Sequence, residues 1–293
     1  MTQLVQSHGQ SKPRRLTRSR SEKLTNFGID VFLFAFGLFM ILPLIFLVSN
    51  AFKTPQEMVA WPPTIIPNNP TIENFKSVLG ETPILLWIWN SVRFAVLSMT
   101  SIVATSAIAG YILAKFKSRI MNVIFILILA TAIVPFEVYM IPLYFQAQAL
   151  GILNSIWGLV LGYLVMSFGI FLIRQNVEHS IPDELLEAAR IDGAGEMWIF
   201  IVIVLPLLRG ALGALAVLAF FQSWTAFAWP IIVATSREAY TIEVGLALFQ
   251  TGFTVDLGRL SAASAAVLIP SVTLFVILRR NFVQGVASTG LKE

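Results

Sequence analysis

Residues 180–206 read SIPDELLEAARIDGAGEMWIFIVIVLP, a polar, patterned stretch set between two apolar runs. Ser180 stands three residues before Asp183, a spacing that resembles a capping box, and Pro182 suits a first helical turn, so a helix is predicted to start here. Asp183, Glu184 and Glu187 suit the positive N-terminal end of that helix. Leu185, Ala188, Ala189 and Asp192 recur at i, i+3, i+4 and i+7, which makes one small-residue face that another surface can approach closely. Gly193 ends the helix, and a second short helix from Glu196 to Leu205 leads to Pro206. The stretch predicts a helix-turn-helix that is too short and too amphipathic to cross a bilayer.

Outward from this stretch the chain is apolar. Of its 293 residues 57% are hydrophobic and 12% charged, with a mean hydropathy of +0.79. That leaves too little polar surface to cover a soluble globule of this length. A spanning helix needs roughly 20 mostly apolar residues. Such runs are predicted near Phe27 to Ser49, Ile84 to Ala114, Ile120 to Met140, Ser155 to Ile173, Gly210 to Trp229 and Leu260 to Leu278. The expected fold is all-α: a polytopic membrane protein of about six spans, with the helix-turn-helix between spans four and five.

Charge orients the bundle. Fifteen Lys and Arg fall in alternate polar segments that include both termini, against four in the others. By the positive-inside rule both termini, and the segment 174–209, are then cytoplasmic. Residues 1–25, with six cations and Glu22 as the one fixed acid, read as a disordered basic tail, and residues 26–293 as the transmembrane domain. The apolar run after the tail is too long for a signal-peptide core. Residues 50–83 fall outside the cell, and Pro55, Pro62, Pro63, Pro67 and Pro70 predict an irregular, rigid lid over the bundle mouth instead of another helix.

Several chemistries are excluded by absence. The chain has no cysteine, and its two histidines, His8 and His179, lie far apart in polar segments, so no metal cluster is expected. No Gly-Lys dipeptide occurs, which removes a Walker A loop; if ATP is used, another chain hydrolyses it. Inside the spans Arg93 and Glu137 stand out. Two readings are open for them: a pair across the bundle, or two side chains each reaching interfacial water. Asp30 sits at the cytoplasmic boundary. Trp87, Trp89, Trp224 and Trp229 fall at outer ends of spans, where interface anchoring is expected and stacking on a solute is the second reading. Pro135 and Pro270, inside spans, are expected to kink them.

With these residues in view, the chain resembles the permease subunits of binding-protein-dependent ABC importers. Their cytoplasmic EAA loop is matched by E187-A188-A189, D192-G193-A194, Phe200, Ile203, Leu205 and Pro206. Further segments carry the resemblance to the carbohydrate-uptake branch, that of the second membrane subunit of the maltose transporter: AFKTPQEM (51–58), PTIENF (70–75), NSVRFAV (90–96), VPFEVYMIPLY (134–144), SWTAFAWPII (223–232) and RRNFVQGVASTGLKE (279–293). The chain departs from the family at Thr225 and Ala226, where Asn and an acidic residue are usual, at Gly210 in place of a proline, and at Thr289 and Leu291.

The resemblance implies a non-catalytic subunit of the bacterial or archaeal inner membrane. Its partners would be a second homologous permease, two cytoplasmic ATPase subunits that hold ATP and Mg, an extracytoplasmic solute-binding protein and the lipid bilayer, with no nucleic acid. Glu187, Ala188, Ala189, Asp192, Gly193, Ala194 and Pro206 would couple it to the ATPase. Asn90, Glu137, Tyr139, Gln222, Ser223 and Thr225 are the candidates for lining the path of a sugar, oligosaccharide or polyol-phosphate. The alternative, an ion-coupled secondary carrier or channel, would call for buried acidic residues and inverted repeats; a membrane-embedded enzyme would call for a nucleophile, base or metal cluster.

Overall fold

A computed structural model describes residues 20–250 and 255–290. Among them the secondary structure is helical apart from one isolated bridge between Gln250 and Val255. The tail residues 1–19, with His8, and the terminal 291–293, with Leu291, lie outside the described residues. The chain divides into two units at Phe46/Leu47. Helix α1 (Arg20–Ala51) begins inside the basic segment and makes up the described part of the first unit. Its apolar stretch Phe27–Ala51 is long enough to cross a membrane, and Phe27, Phe32, Phe34 and Phe39 are all well exposed.

The second unit is built around α4 (Ile84–Lys115), the other helix long and apolar enough for a membrane span. Small residues let its neighbours close in on it. A Cβ on Gly110 would lie 2.8 Å from Ile173 Cγ2 and 2.9 Å from the Arg174 backbone nitrogen, and one on Gly169 would lie 2.6 Å from Ser106 Oγ. Helix α4 therefore packs along α8 (Ser167–Ser180) and α12 (Arg209–Trp224), and α12 packs in turn on α15 (Leu257–Gly290). One buried cluster joins Trp87, Phe220, Trp224, Ile242 and Ala262; a second joins Ile102, Tyr111, Ile173, Leu186, Ile199, Val204 and Leu215.

Three predicted spans are broken. The run expected at Ile120 to Met140 is α5 (Arg119–Thr131) followed by α6 (Phe136–Ala149), turned by 99° at a break whose last residue is Pro135. Proline lacks the N–H that would carry the helix across, and it disfavours helical backbone in the residue before it. The fourth run is α7 (Ile156–Leu161) and α8. The fifth stops at Trp224 and resumes as α13 (Ala228–Val233). Counting each strongly bent pair as one crossing gives up to four spans among the described residues by length and composition. Pro270 breaks nothing: α15 continues through it.

The segment 50–83 holds two helices where none was expected, α2 (Pro55–Met58) and α3 (Glu73–Glu81). Glu57 organises the turn after α2: its Oε1 accepts from the Asn68 amide at 2.7 Å and the Thr64 hydroxyl at 3.1 Å, and these contacts, the Asn68 bond first, hold its carboxyl below the usual range. Buried Lys53 donates to Asn50 Oδ1 at 2.9 Å and the Thr64 carbonyl at 2.5 Å.

The tryptophans are also placed differently from expectation. Trp87, Trp224 and Trp229 are core residues whose indole N–H groups bond to the Arg237 carbonyl, Ser271 Oγ and the Gly158 and Leu159 carbonyls. A partner for the N–H lets a large ring be buried fully. Trp89 alone of the four is largely exposed, with Arg93 over its ring.

Candidate functional site

Two places gather the predicted site residues. The first is the loop after α8. Helix α9 (Asp183–Ile191) starts without a capping box, because Ser180 is spent as the last residue of α8 and the cap position is Pro182. Asp183 bonds elsewhere, to Lys115 Nζ at 2.5 Å and Lys117 Nζ at 3.0 Å, and Lys115 also reaches the Ile181 carbonyl at 2.5 Å. The Lys115 hydrogen bond first, then that of Lys117, holds the Asp183 carboxyl down at about 2.

Gly193 takes φ +85°, and the amides of Gly193 and Ala194 bond back to the carbonyls of Arg190 and Ala189 at 3.0 and 2.9 Å. This is a Schellman closure, which asks for glycine at the left-handed position. Across the turn Arg190 Nε meets Glu196 Oε1 at 2.6 Å, and the Tyr111 hydroxyl of α4 donates to Glu196 Oε2 at 3.3 Å. Helix α9 is thus pinned at both ends. It buries Leu186 inward and places Leu185, Ala188, the largely buried Ala189 and Asp192 on the wall of an open groove of about 560 Å³, continued by Gly193, Ala194, Gly195, Trp198 and Ile203.

The second helix of the loop differs from a plain α-helix. Helix α10 (Glu196–Trp198) runs into a π-helical stretch, Ile199–Val204, and then α11 (Leu205–Leu207), in which Pro206 lies. The bend into α12 is 77° and falls at Leu208, so the joint lies two residues beyond the proline.

The second place is a cavity of about 540 Å³ where the three helix breaks meet. Its wall takes Thr131, Phe136, Glu137 and Tyr139 from the first break, Tyr163 and Ser167 from the second, and Gln222, Thr225 and Phe227 from the third. Thr131 and Ser167 share a hydrogen bond of 2.7 Å. Phe136 packs against Tyr139 at 5.0 Å and Tyr163 at 5.9 Å between ring centroids. Among the described residues no three His, Cys, Asp or Glu gather to hold a metal ion.

The family model described as "Binding-protein-dependent transport system inner membrane component" matches residues 106–288, which take in the groove, the hinge and all of the cavity wall except Ile102. The chain belongs to this family. It is 33% identical over 264 residues to the arabinooligosaccharides transport system permease protein of Halalkalibacterium halodurans, a match that covers 88% of this chain and 94% of the relative. It is 31% identical to the sn-glycerol-3-phosphate transport system permease protein of Yersinia pestis, covering 89% and 97%, and 29% identical to the lactose transport system permease protein of Rhizobium radiobacter, covering 84% and 89%. A crystal structure of a bacterial ABC transporter involved in the import of the acidic polysaccharide alginate shares the fold, with a TM-score of 0.73 at 22% identity over 90% of this chain and 99% of that one. The protein is a non-catalytic, multi-pass permease subunit of an ATP-driven, binding-protein-dependent importer, and the ATPase is a separate chain.

In this permease the expected loop residues fall together: Ala188, Ala189, Asp192, Gly193 and Ala194 line the groove, Glu187 is exposed on α9 and Pro206 precedes the hinge. Of the six expected path residues, Glu137, Tyr139, Gln222 and Thr225 share the cavity and two do not. Asn90 is buried, and its amide donates to the Glu238 and Tyr240 carbonyls at 2.8 and 3.0 Å. Ser223 is buried and bonds to the Ala219 carbonyl at 3.1 Å. The pairing of Arg93 with Glu137 is also not formed: Arg93 donates to Asn90 Oδ1 and lines a separate small cavity with Asn154 and Ser236. Sequence reasoning missed Tyr163, Thr131 and Ser167 because they fall within apolar runs, and missed the Lys115–Asp183 and Tyr111–Glu196 links because their partners lie far apart in the chain.

Proposed function

We propose that the permease forms one half of a channel for a sugar, oligosaccharide or polyol-phosphate, crossing the inner membrane six times with both termini in the cytoplasm. Its relatives are named for arabinooligosaccharides, lactose, sulfoquinovosyl glycerol and glycerol phosphate. The groove on α9 receives an edge of one of two ATPase subunits, which bind ATP and Mg, and a second, homologous but different permease completes the channel. The cavity at the helix breaks is the solute path. Closure of the ATPases moves α9 as a lever about the Leu208 hinge, switching the bundle between outward-open and inward-open states, and an external binding protein delivers the solute.

The observation that carries this reading is the pinned helix with its small-residue wall. A helix held by ion pairs at both ends transmits a push instead of absorbing it, and the alanines and glycines let a partner come within backbone distance. An ion-coupled carrier would have no use for such a groove.

Co-purification from mild detergent tests the proposal, with the tagged wild type beside Gly193→Asp. The expected result is an ATPase and a second permease with the wild type, and loss of the ATPase alone in the variant. Recovery of the wild-type chain alone, with solute flux in vesicles lacking ATP, would sink it.

A further inference from the structure

We infer that the cavity at the helix breaks admits uncharged, polyhydroxylated solutes and turns away phosphates, sulfonates and uronates, and that Glu137 makes the distinction. The inference rests on the reading of this cavity as the solute path and narrows the solutes proposed above to the neutral ones.

Among the described residues Glu137 is the only Asp, Glu, Lys, Arg or His on the cavity wall. Among the described residues its carboxylate has no hydrogen-bond or ion-pair partner, and Arg93, the candidate partner across the bundle, is engaged by Asn90 and Trp89 in a different cavity. A lone carboxylate in a partly shielded cavity repels a second anion strongly, because charges interact several times more strongly there than in bulk water.

The remaining wall suits hydroxyl groups. The Tyr139 and Tyr163 hydroxyls and the Gln222 amide also lack protein partners among the described residues, so the site offers donors and acceptors side by side. Phe136, Tyr139 and Tyr163 form an aromatic group on which the C–H face of a sugar ring can lie. A single carboxylate with no second acid beside it is too little to hold a metal ion. Both features fit a neutral solute that gives hydrogen bonds to Glu137 and takes them from its neighbours. The volume of about 540 Å³ lies in the range usual for small-ligand sites.

The absence of cysteine makes the test direct. Thr225→Cys, and Gln222→Cys as a second position, are placed in the complete importer and treated with methanethiosulfonate reagents of opposite charge, with the wild type as the blank for partner subunits. The cationic reagent is expected to react about tenfold faster than the anionic one, relative to a free thiol, and Glu137→Gln to remove that preference. The importer's own solute-binding protein is screened in parallel by thermal shift against arabinotriose, lactose, glycerol 3-phosphate and galacturonate, with shifts expected from the neutral solutes. If neither position reacts in the assembled importer, the path reading fails and this inference with it. Equal rates, or a preference that survives Glu137→Gln, overturn the charge selection and leave the path standing. A binding protein that answers only to the anions overturns it as well.

Discussion

Gly193 and Gly245 both resist a side chain, for opposite reasons. A Cβ at Gly193 would meet nothing within 4 Å, but φ is +85°, so the cost of a side chain there is conformational, about 1–2 kcal/mol. Gly193→Ala should leave the bundle folded and expose the 190–196 turn to protease; unchanged cleavage would contradict the Schellman closure. At Gly245 a Cβ would stand 2.1 Å from Trp87 Cε3, and overpacking of this kind costs about 1–3 kcal/mol. Gly245→Ala should therefore lower the melting temperature in detergent, whereas Gly80→Ala, with open space around it, should not. The first glycine is legible in sequence because helix-closing chemistry is local. The second is not, since Trp87 comes from a helix far earlier in the chain.

At the scale of elements, α9 depends on Asp183. Its carboxyl titrates near 2 in the folded chain against an ordinary 3.8, held down chiefly by Lys115 and then Lys117. A depressed value means the contribution is complete above the unfolded pKa and fades as pH falls through about 2. Amide exchange of residues 181–191 in wild type should thus keep the same protection from pH 8 to pH 5 after correction for intrinsic rate. Asp183→Asn should lose that protection at every pH in the window, and a profile that moved in wild type within it would contradict the assignment. The loop's two helices and its glycine turn were readable from residues 180–206, while the broken spans were not. Hydropathy sums over a window and passes across a break unless proline or glycine marks it. Pro135 marked the first break, though it reads equally well as a mere kink, and Gly162, which opens the second, reads equally well as a small residue packed against a large neighbour, as it is against Trp229.

For the whole molecule, composition was enough to place the chain in a membrane and the polar pattern enough to pick out the loop before α12. They could not reveal which polar residues in the spans are structural. Asn90 looked like a solute ligand and is instead a strap, joining α4 to the carbonyls of Glu238 and Tyr240. Asn90→Leu leaves both carbonyls without that partner, at a cost of about 1–3 kcal/mol. The variant should melt earlier while the solute preference of the importer stays the same; a changed preference would return Asn90 to the path.

The same strap has a consequence for biosynthesis. The partners of Trp87, Asn90 and Ser91 lie 148 to 151 residues further along the chain. At about 5–20 residues per second, a ribosome needs roughly 7–30 s to supply them. Throughout that interval α4 is already made, with the polar groups of Asn90 and Ser91 and the indole of Trp87 still without the partners they have in the finished protein. The central helix of the bundle therefore reaches its final hydrogen bonding only after the 237–242 segment has been made.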